Sequence, residues 1–297
     1  MFVRVFPHIC FSLSILLASA DANRVFIQEI QKWRQEYEAG LKNDDGWLSL
    51  AGLFWLKEGE NRFGSGPANG IVLPAGTAPE TAGAFFFHDG KTTLSPAPGA
   101  PLFLNGETIR AQALMNPDSS GHPDRVTLGS QSMIVIQRGK RYGIRLWDNA
   151  GPARHEFRGA EWFPVKESFR ITAEFHSYPE PKMIPILNIL GDTEPNPSPG
   201  FATFRIGGKE CRLEPVLEGN QLFILFKDAT SGHETYPAGR FLYAGLPKDG
   251  KVVLDFNKAH NPPCAFTPYA TCPLPPRRNT LPVPIEAGER YRAHPKI

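Results

Sequence analysis

The chain has 297 residues, 41% hydrophobic and 21% charged, which is apolar enough to bury a core and to exclude disorder along its length. Its 32 Lys and Arg nearly balance 30 Asp and Glu, and a formal charge of +2 offers no electrostatic footprint for nucleic acid or an anionic membrane. With 28 Gly and 29 Pro, the composition suits many strands joined by turns better than a helical protein.

Arg4 precedes an apolar run over residues 9–18 that ends in small residues, the layout of a secretory signal peptide. A signal is expected over 1–22, with the mature chain starting near Asp21 or Asn23. The run is shorter than the ~20 residues a bilayer crossing needs. No later segment is apolar enough to span, so an exported protein without a membrane span is expected. Cys211, Cys264 and Cys272 then remain in a compartment where disulfides persist. Seven residues separate Cys264 from Cys272 in a proline-rich loop, which favours a bridge between them and leaves Cys211 as a buried free thiol.

Phe26, Ile30, Trp33, Tyr37 and Leu41 recur at intervals of three and four and predict a helix over 23–42, ended by the turn residues Asp44, Asp45 and Gly46. The apolar run 47–56 follows as a strand pair or plug. Hairpins are then expected across Asp89-Gly90, Asn105-Gly106, the 138–140 turn and Gly207-Gly208, with buried strands at 222–226 and 251–256. Residues 169–176 alternate, with Phe169, Ile171, Ala173 and Phe175 on one face. The 192–200 segment, with Pro195, Pro197 and Pro199, reads as a rigid surface loop, and 261–284 as an extended proline-rich coil pinned by its cysteines. Strands follow strands without βαβ alternation. The expected fold is therefore mainly β: an antiparallel sandwich or distorted barrel, with one N-terminal amphipathic helix outside it and a proline-rich C-terminal coil. It forms a single large domain over 23–297.

The chain lacks a dinucleotide-binding glycine fingerprint, a phosphate-binding loop and a Gly-x-Ser-x-Gly elbow. Its histidines never fall two to four residues apart, and no Cys-x-x-Cys occurs, so neither a cofactor nor a metal is expected.

Three polar clusters remain. In the first, Arg138, Arg141, Arg145 and Asp148 lie in or after one hairpin, where Arg141, Arg145 and Trp147 share a face able to receive a carboxylate or a sugar; a solvated face with cross-strand ion pairs is the plainer reading. In the second, residues 228–236 gather Asp228, Thr230, Ser231, His233 and Glu234 after an apolar strand, as a strand-end site or as a hydrogen-bonded turn. In the third, Asp255 and Asn257 end a buried strand just before His260 and Cys264. These are the residue types of a thiol nucleophile with its base and orienting group, an idea that fails if Cys264 is bridged.

This third region resembles a bacterial and archaeal family catalogued as a domain of unknown function, number 1684. The resemblance rests on Leu254-Asp255-Phe256-Asn257, Asn261-Pro262-Pro263-Cys264-Ala265-Phe266-Thr267 and Ala270-Thr271-Cys272-Pro273-Leu274-Pro275. Asp45-Gly46-Trp47-Leu48, Gly52-Leu53-Phe54-Trp55-Leu56, Glu58-Gly59-Glu60-Asn61, Trp162-Phe163-Pro164, the 138–148 hairpin and residues 228–240 extend it over most of the mature chain. It implies one coherent unit, often exported, with no activity attached. Its pattern usually has tyrosine where this chain has His260, which counts against a catalytic histidine there.

The leading expectation is a module binding a small polar or anionic ligand, a saccharide or carboxylate, in a cleft lined by Arg141, Arg145, Arg240, Asp255 and Asn257. The alternatives are an exported hydrolase with Asp228 or Asp255 as general base, or a structural envelope protein without a pocket.

Overall fold

A computed structural model of the chain describes residues 10–292, with side chains from Asp21 onward. The helix spans Cys10–Leu41, and its expected stripe faces inward: Phe26, Ile30 and Leu41 are buried, while Trp33 and Tyr37 are half-buried. Of the expected signal segment, residues 1–9 lie outside the described residues. No helix among the described residues is long and apolar enough to cross a membrane.

The N-terminal half folds into two sheets. One has the order Leu50–Trp55, Arg141–Asp148, Gln131–Arg138, Arg125–Leu128, Phe103–Leu104 and Glu107–Thr108; the other runs Ile71–Val72, Gly59–Gly64, Gly83–His88, Lys91–Pro96 and Ala113–Met115. Between them Phe63, Phe85, Leu94, Met133, Val135, Ile144 and Leu146 form a core. The turns are where Asp-Gly and Asn-Gly place them. Asp89 and Gly90 have φ of 47° and 74°, and Asn105 and Gly106 have 53° and 86°, the left-handed pairs that match the twist of a two-residue hairpin.

The C-terminal half also has two sheets. The first has the order Lys209–Leu213, Thr193–Ile206, Arg170–Leu187 and Lys251–Asp255, and the second Val216–Glu218, Gln221–Phe226 and Arg240–Gly245. The core here holds Phe175, Phe204, Leu222, Ile224, Phe226, Leu242 and Leu254. Along 169–176 the alternation is as expected, with Ala173 and Phe175 buried and Arg170, Thr172, Glu174 and His176 exposed. The described sheets are antiparallel apart from the short pairing of Gly59–Gly64 with Ile71–Val72, and none closes into a barrel. Each half thus has one large core, and two smaller clusters, one around Phe223 and Phe241 and one around Ile134 and Trp147, lie beside them.

The rigid loop expected over 192–200 is instead strand, pairing Pro185 with Pro195 and Met183 with Pro197 inside the ladder of Arg170–Leu187 and Thr193–Ile206. The reason is the spacing of its prolines. At alternate positions they remove donors from one edge only, and the third strand, Lys209–Leu213, pairs only from Ala202 onward, so that edge has no neighbour to lose. The segment after Asn261 is coil with short 3₁₀ turns at Pro263–Ala265 and Arg277–Asn279, as its prolines require.

Candidate functional site

The hairpin Gln131–Arg138 and Arg141–Asp148 buries one face in the N-terminal core. Its register sets Arg138 opposite Arg141 and Ile134 opposite Arg145, so its other face carries Arg138, Arg141, Arg145 and Trp147 together. In the C-terminal half the hairpin Gln221–Phe226 and Arg240–Gly245 also has two occupied faces. Leu222, Ile224, Phe226 and Leu242 face the C-terminal core, while Phe223, Leu225 and Phe241 pack against Ala270 and Cys272 on the opposite side.

Between these hairpins lies a cleft of about 340 Å³, within the size range of small-molecule sites. Its floor is Phe223, Phe241 and Tyr243; Trp47, Arg138, Arg145 and Cys272 line it on one side, and Tyr37 and His260 on the other. Phe223 stacks on Tyr243 with centroids 4.9 Å apart and meets Phe241 edge-on at 4.9 Å, which makes the floor a continuous aromatic surface.

Arg145 is 8% exposed, and no hydrogen bond or ion pair to it is formed among the described residues. Its guanidinium lies 5.7 Å from the Trp47 ring and 6.0 Å from that of Trp147, against π faces rather than a carboxylate. Burial, aided by the like charge of Arg138, pulls its pKa down from 12.5 to about 10. Arg138 by contrast is neutralised by Asp118 at 2.7 Å and reaches Thr271 Oγ1 at 3.3 Å.

On the opposite wall His260 is tilted against Tyr37 at 4.9 Å and stacked on Tyr243 at 6.0 Å. Its Nδ1 lies 3.2 Å from the Lys258 carbonyl, a contact that requires the proton on Nδ1 and leaves Nε2 as an acceptor. Burial pushes its pKa down to about 4, so the ring is neutral at pH 7. The Tyr37 hydroxyl donates at 3.1 Å to Glu289, which also accepts the Asn261 N–H at 2.7 Å. Glu289 is fully enclosed, and its carboxyl is raised to about 7 by burial.

Cys264 and Cys272 stand as thiols, with the Cys264 N–H donating to Cys272 Sγ at 3.1 Å. Hydrogen bonding from the Cys272 thiol holds the pKa of Cys264 below the usual range, helped by the Tyr236 hydroxyl, while Cys272 is pushed up as it keeps the shared proton. Cys211 is buried in the C-terminal core, as expected, and desolvation raises its pKa.

The other sequence-predicted residues lie elsewhere. Arg141 ion-pairs with Asp192 and stacks 4.7 Å over Trp55, outside the cleft lining. Arg240 is fully buried; it donates to Asp228 at 2.9 Å and to the carbonyls of Ile285, Ala287 and Glu289, fastening the C-terminal tail to its sheet. Asp228 Oδ1 accepts from the Thr230 N–H and hydroxyl and from the Ile285 N–H, so both its oxygens are occupied. Asp255 caps the 3₁₀ turn Phe256–Lys258 by accepting from the Asn257 N–H at 3.1 Å. Asn257 is fully buried and trades hydrogen bonds with the backbone of Lys166. Neither carboxylate lines the cleft. Among the described residues no three His, Cys, Asp or Glu side chains converge to ligate a metal ion.

Sequence reasoning missed Tyr37, Glu218, Phe223, Phe241 and Tyr243 as site residues. The signal of the aromatic ones was apolar periodicity, which marks a core and a cleft floor alike, and Glu218 gave no signal beyond an exposed charge at a turn.

Fold and site together define a mainly antiparallel β protein with an aromatic cleft between its two halves, lined by Arg138, Arg145 and Glu218. The chain belongs to the family described as protein of unknown function (DUF1684), whose model matches residues 155–290. It is similar to an uncharacterized protein from Haloarcula marismortui known from a solution NMR structure, with 30% identity over 47% of this chain and 80% of that one and a TM-score of 0.40. A fainter likeness links it to Mycobacterium tuberculosis EmbR in complex with a low-affinity phosphopeptide, at 14% identity over 32% of this chain and 21% of that one, with a TM-score of 0.22. Scores this low carry nothing about function. No curated protein matches the chain.

Proposed function

We propose that the protein is an exported binding module for a small molecule with an anionic group, a carboxylate or acidic saccharide, held in the cleft by Arg145. The observation that carries this is Arg145, a residue more than nine-tenths buried at the cleft wall that forms no ion pair or side-chain hydrogen bond among the described residues. A buried charge costs several kcal/mol unless it is paired, and a bound carboxylate would supply the pair in a bidentate geometry. The aromatic floor of Phe223, Phe241 and Tyr243 suits the apolar face of a sugar or a hydrocarbon body. The hydrolase reading finds no support here, since neither Asp228 nor Asp255 lines the cleft and both oxygens of Asp228 are taken by internal partners. The test is calorimetric titration of the purified mature protein against carboxylates, sugar acids and their neutral amides. Binding of acids but not amides, lost in Arg145→Met, is the expected result; equal binding of acids and amides overturns the assignment.

Export rests on the layout of Arg4, the apolar run 9–18 and the small residues after it. In an oxidising compartment the short proline-rich loop between the free thiols of Cys264 and Cys272 favours a bridge between them. Exchange with an oxidised dithiol protein would form their S–S bond, with two hydrogens and two electrons passing to the partner's disulfide. Peptide mapping of the exported, unreduced protein after denaturing alkylation should label Cys211 alone; label on Cys264 refutes the bridge.

A further inference from the structure

A second hollow of about 190 Å³ adjoins the cleft, and Arg138, Glu218, Phe223, Thr271 and Pro273 line both. The two are therefore lobes of one groove, joined past the ring of Phe223. Their charges differ. The inner lobe holds Arg145, which forms no ion pair among the described residues. The outer lobe holds Glu194 and Glu218, neither in an ion pair among the described residues, while the one cation lining it, Arg138, is already neutralised by Asp118. Glu218 accepts only the Tyr243 hydroxyl at 3.2 Å and remains open to solvent.

An exposed glutamate alone is ordinary. The informative feature is that Glu218 lines the same hollow as Arg145 yet forms no ion pair with it. With the pair unmade, a cation and a carboxylate line one groove together with its aromatic floor. A ligand carrying only a negative group leaves Glu218 and Glu194 unanswered, and one carrying only a positive group leaves Arg145 buried and unpaired, the costlier omission.

We infer that the ligand is a dipolar amino carboxylate, its carboxylate on Arg145, its carbon skeleton against Phe223 and Tyr243, and its ammonium facing Glu218 and Glu194 in the outer lobe. This rests on the anion-binding reading above and narrows it to ω-amino acids, short peptides and amino-sugar acids, in which the two charges stand at opposite ends. Complementary charge at both ends would add orientation as well as affinity, since a reversed ligand meets like charge at each end.

The experiment is calorimetric titration of the mature protein with three matched probes, 6-aminohexanoate, hexanoate and hexylamine, at fixed ionic strength, and with wild type, Glu218→Gln and Arg145→Met compared. Glu218→Gln keeps an acceptor for Tyr243 and so preserves the wall. The expected result is that 6-aminohexanoate binds at least tenfold tighter than hexanoate. Glu218→Gln should remove that margin without weakening hexanoate, and Arg145→Met should abolish both. Equal affinity for hexanoate and 6-aminohexanoate overturns the dipolar ligand and leaves the anion site standing. Hexylamine binding as tightly as 6-aminohexanoate, unaffected in Arg145→Met, overturns both readings. Failure of all three probes to bind wild type refutes the amino-carboxylate class.

Discussion

Replacing Arg145 by Met should stabilise the ligand-free protein. Below pH 10 the side chain is charged in both folded and unfolded chains, so the cost of its burial is carried throughout the neutral range. A fall in pKa from 12.5 to about 10, at ~1.36 kcal/mol per pKa unit, puts that cost at about 3 kcal/mol. The contacts with Trp47 and Trp147 offset about 1–2 kcal/mol of it, and Met keeps most of the apolar stem in place. The net is a gain of about 1–2 kcal/mol, a rise in Tm of roughly 2–8 °C at ~2–4 °C per kcal/mol for a chain of this size. Scanning calorimetry of both proteins without ligand, at equal salt, measures it directly. A Tm lowered by more than about 3 °C would refute the reasoning, because it would mean that the guanidinium is compensated within the fold and is not held for a ligand.

Two further outcomes follow from buried groups outside the cleft lining. Arg240→Met should cost at least about 3–5 kcal/mol by urea denaturation, since it strands the Asp228 carboxylate and three backbone carbonyls; adding Asp228→Asn should recover part of the loss. A result within about 1 kcal/mol of wild type would show that the Arg240 network carries no weight. Glu289 is protonated more readily folded than unfolded, so its contribution is fully present below about pH 4.5, declines as pH rises to about 7 and is then lost. The stability of Glu289→Gln relative to its parent should therefore climb by about 3 kcal/mol between pH 4.5 and 8. A flat difference across that range would mean that the carboxyl is not raised.

Local chemistry was legible wherever a backbone choice depends on one or two residues. Asp89-Gly90, Asn105-Gly106 and Gly207-Gly208 each mark a hairpin because few other pairs tolerate two successive left-handed φ values. The helix stripe was equally clear, and so was the shared face of Arg141, Arg145 and Trp147. The prolines of 192–200 misled because the cost of a missing N–H depends on whether another strand lies at that edge, and only the topology fixes that. The arginines show the same limit. In sequence Arg145 and Arg240 are both cations on apolar strands, and what separates them is whether a partner arrives from far along the chain. Arg240 receives Asp228 and the 285–289 tail, whereas Arg145 receives two indole faces.

The hairpin of Gln221–Phe226 and Arg240–Gly245 is wallpapered on both sides: Leu222 and Ile224 belong to the fold, and Phe223 and Phe241 to the cleft. A substitution at Phe223 that shifts the strand by a fraction of an ångström is felt by the core behind it, so the floor is mutationally frozen. The side walls answer to fewer masters. Trp47 stands on a turn, Thr271 on a proline-braced loop and Tyr37 on a helix, so none of the three belongs to a sheet ladder. Among relatives sharing this architecture, ligand preference should therefore drift through the rim while the aromatic floor stays fixed.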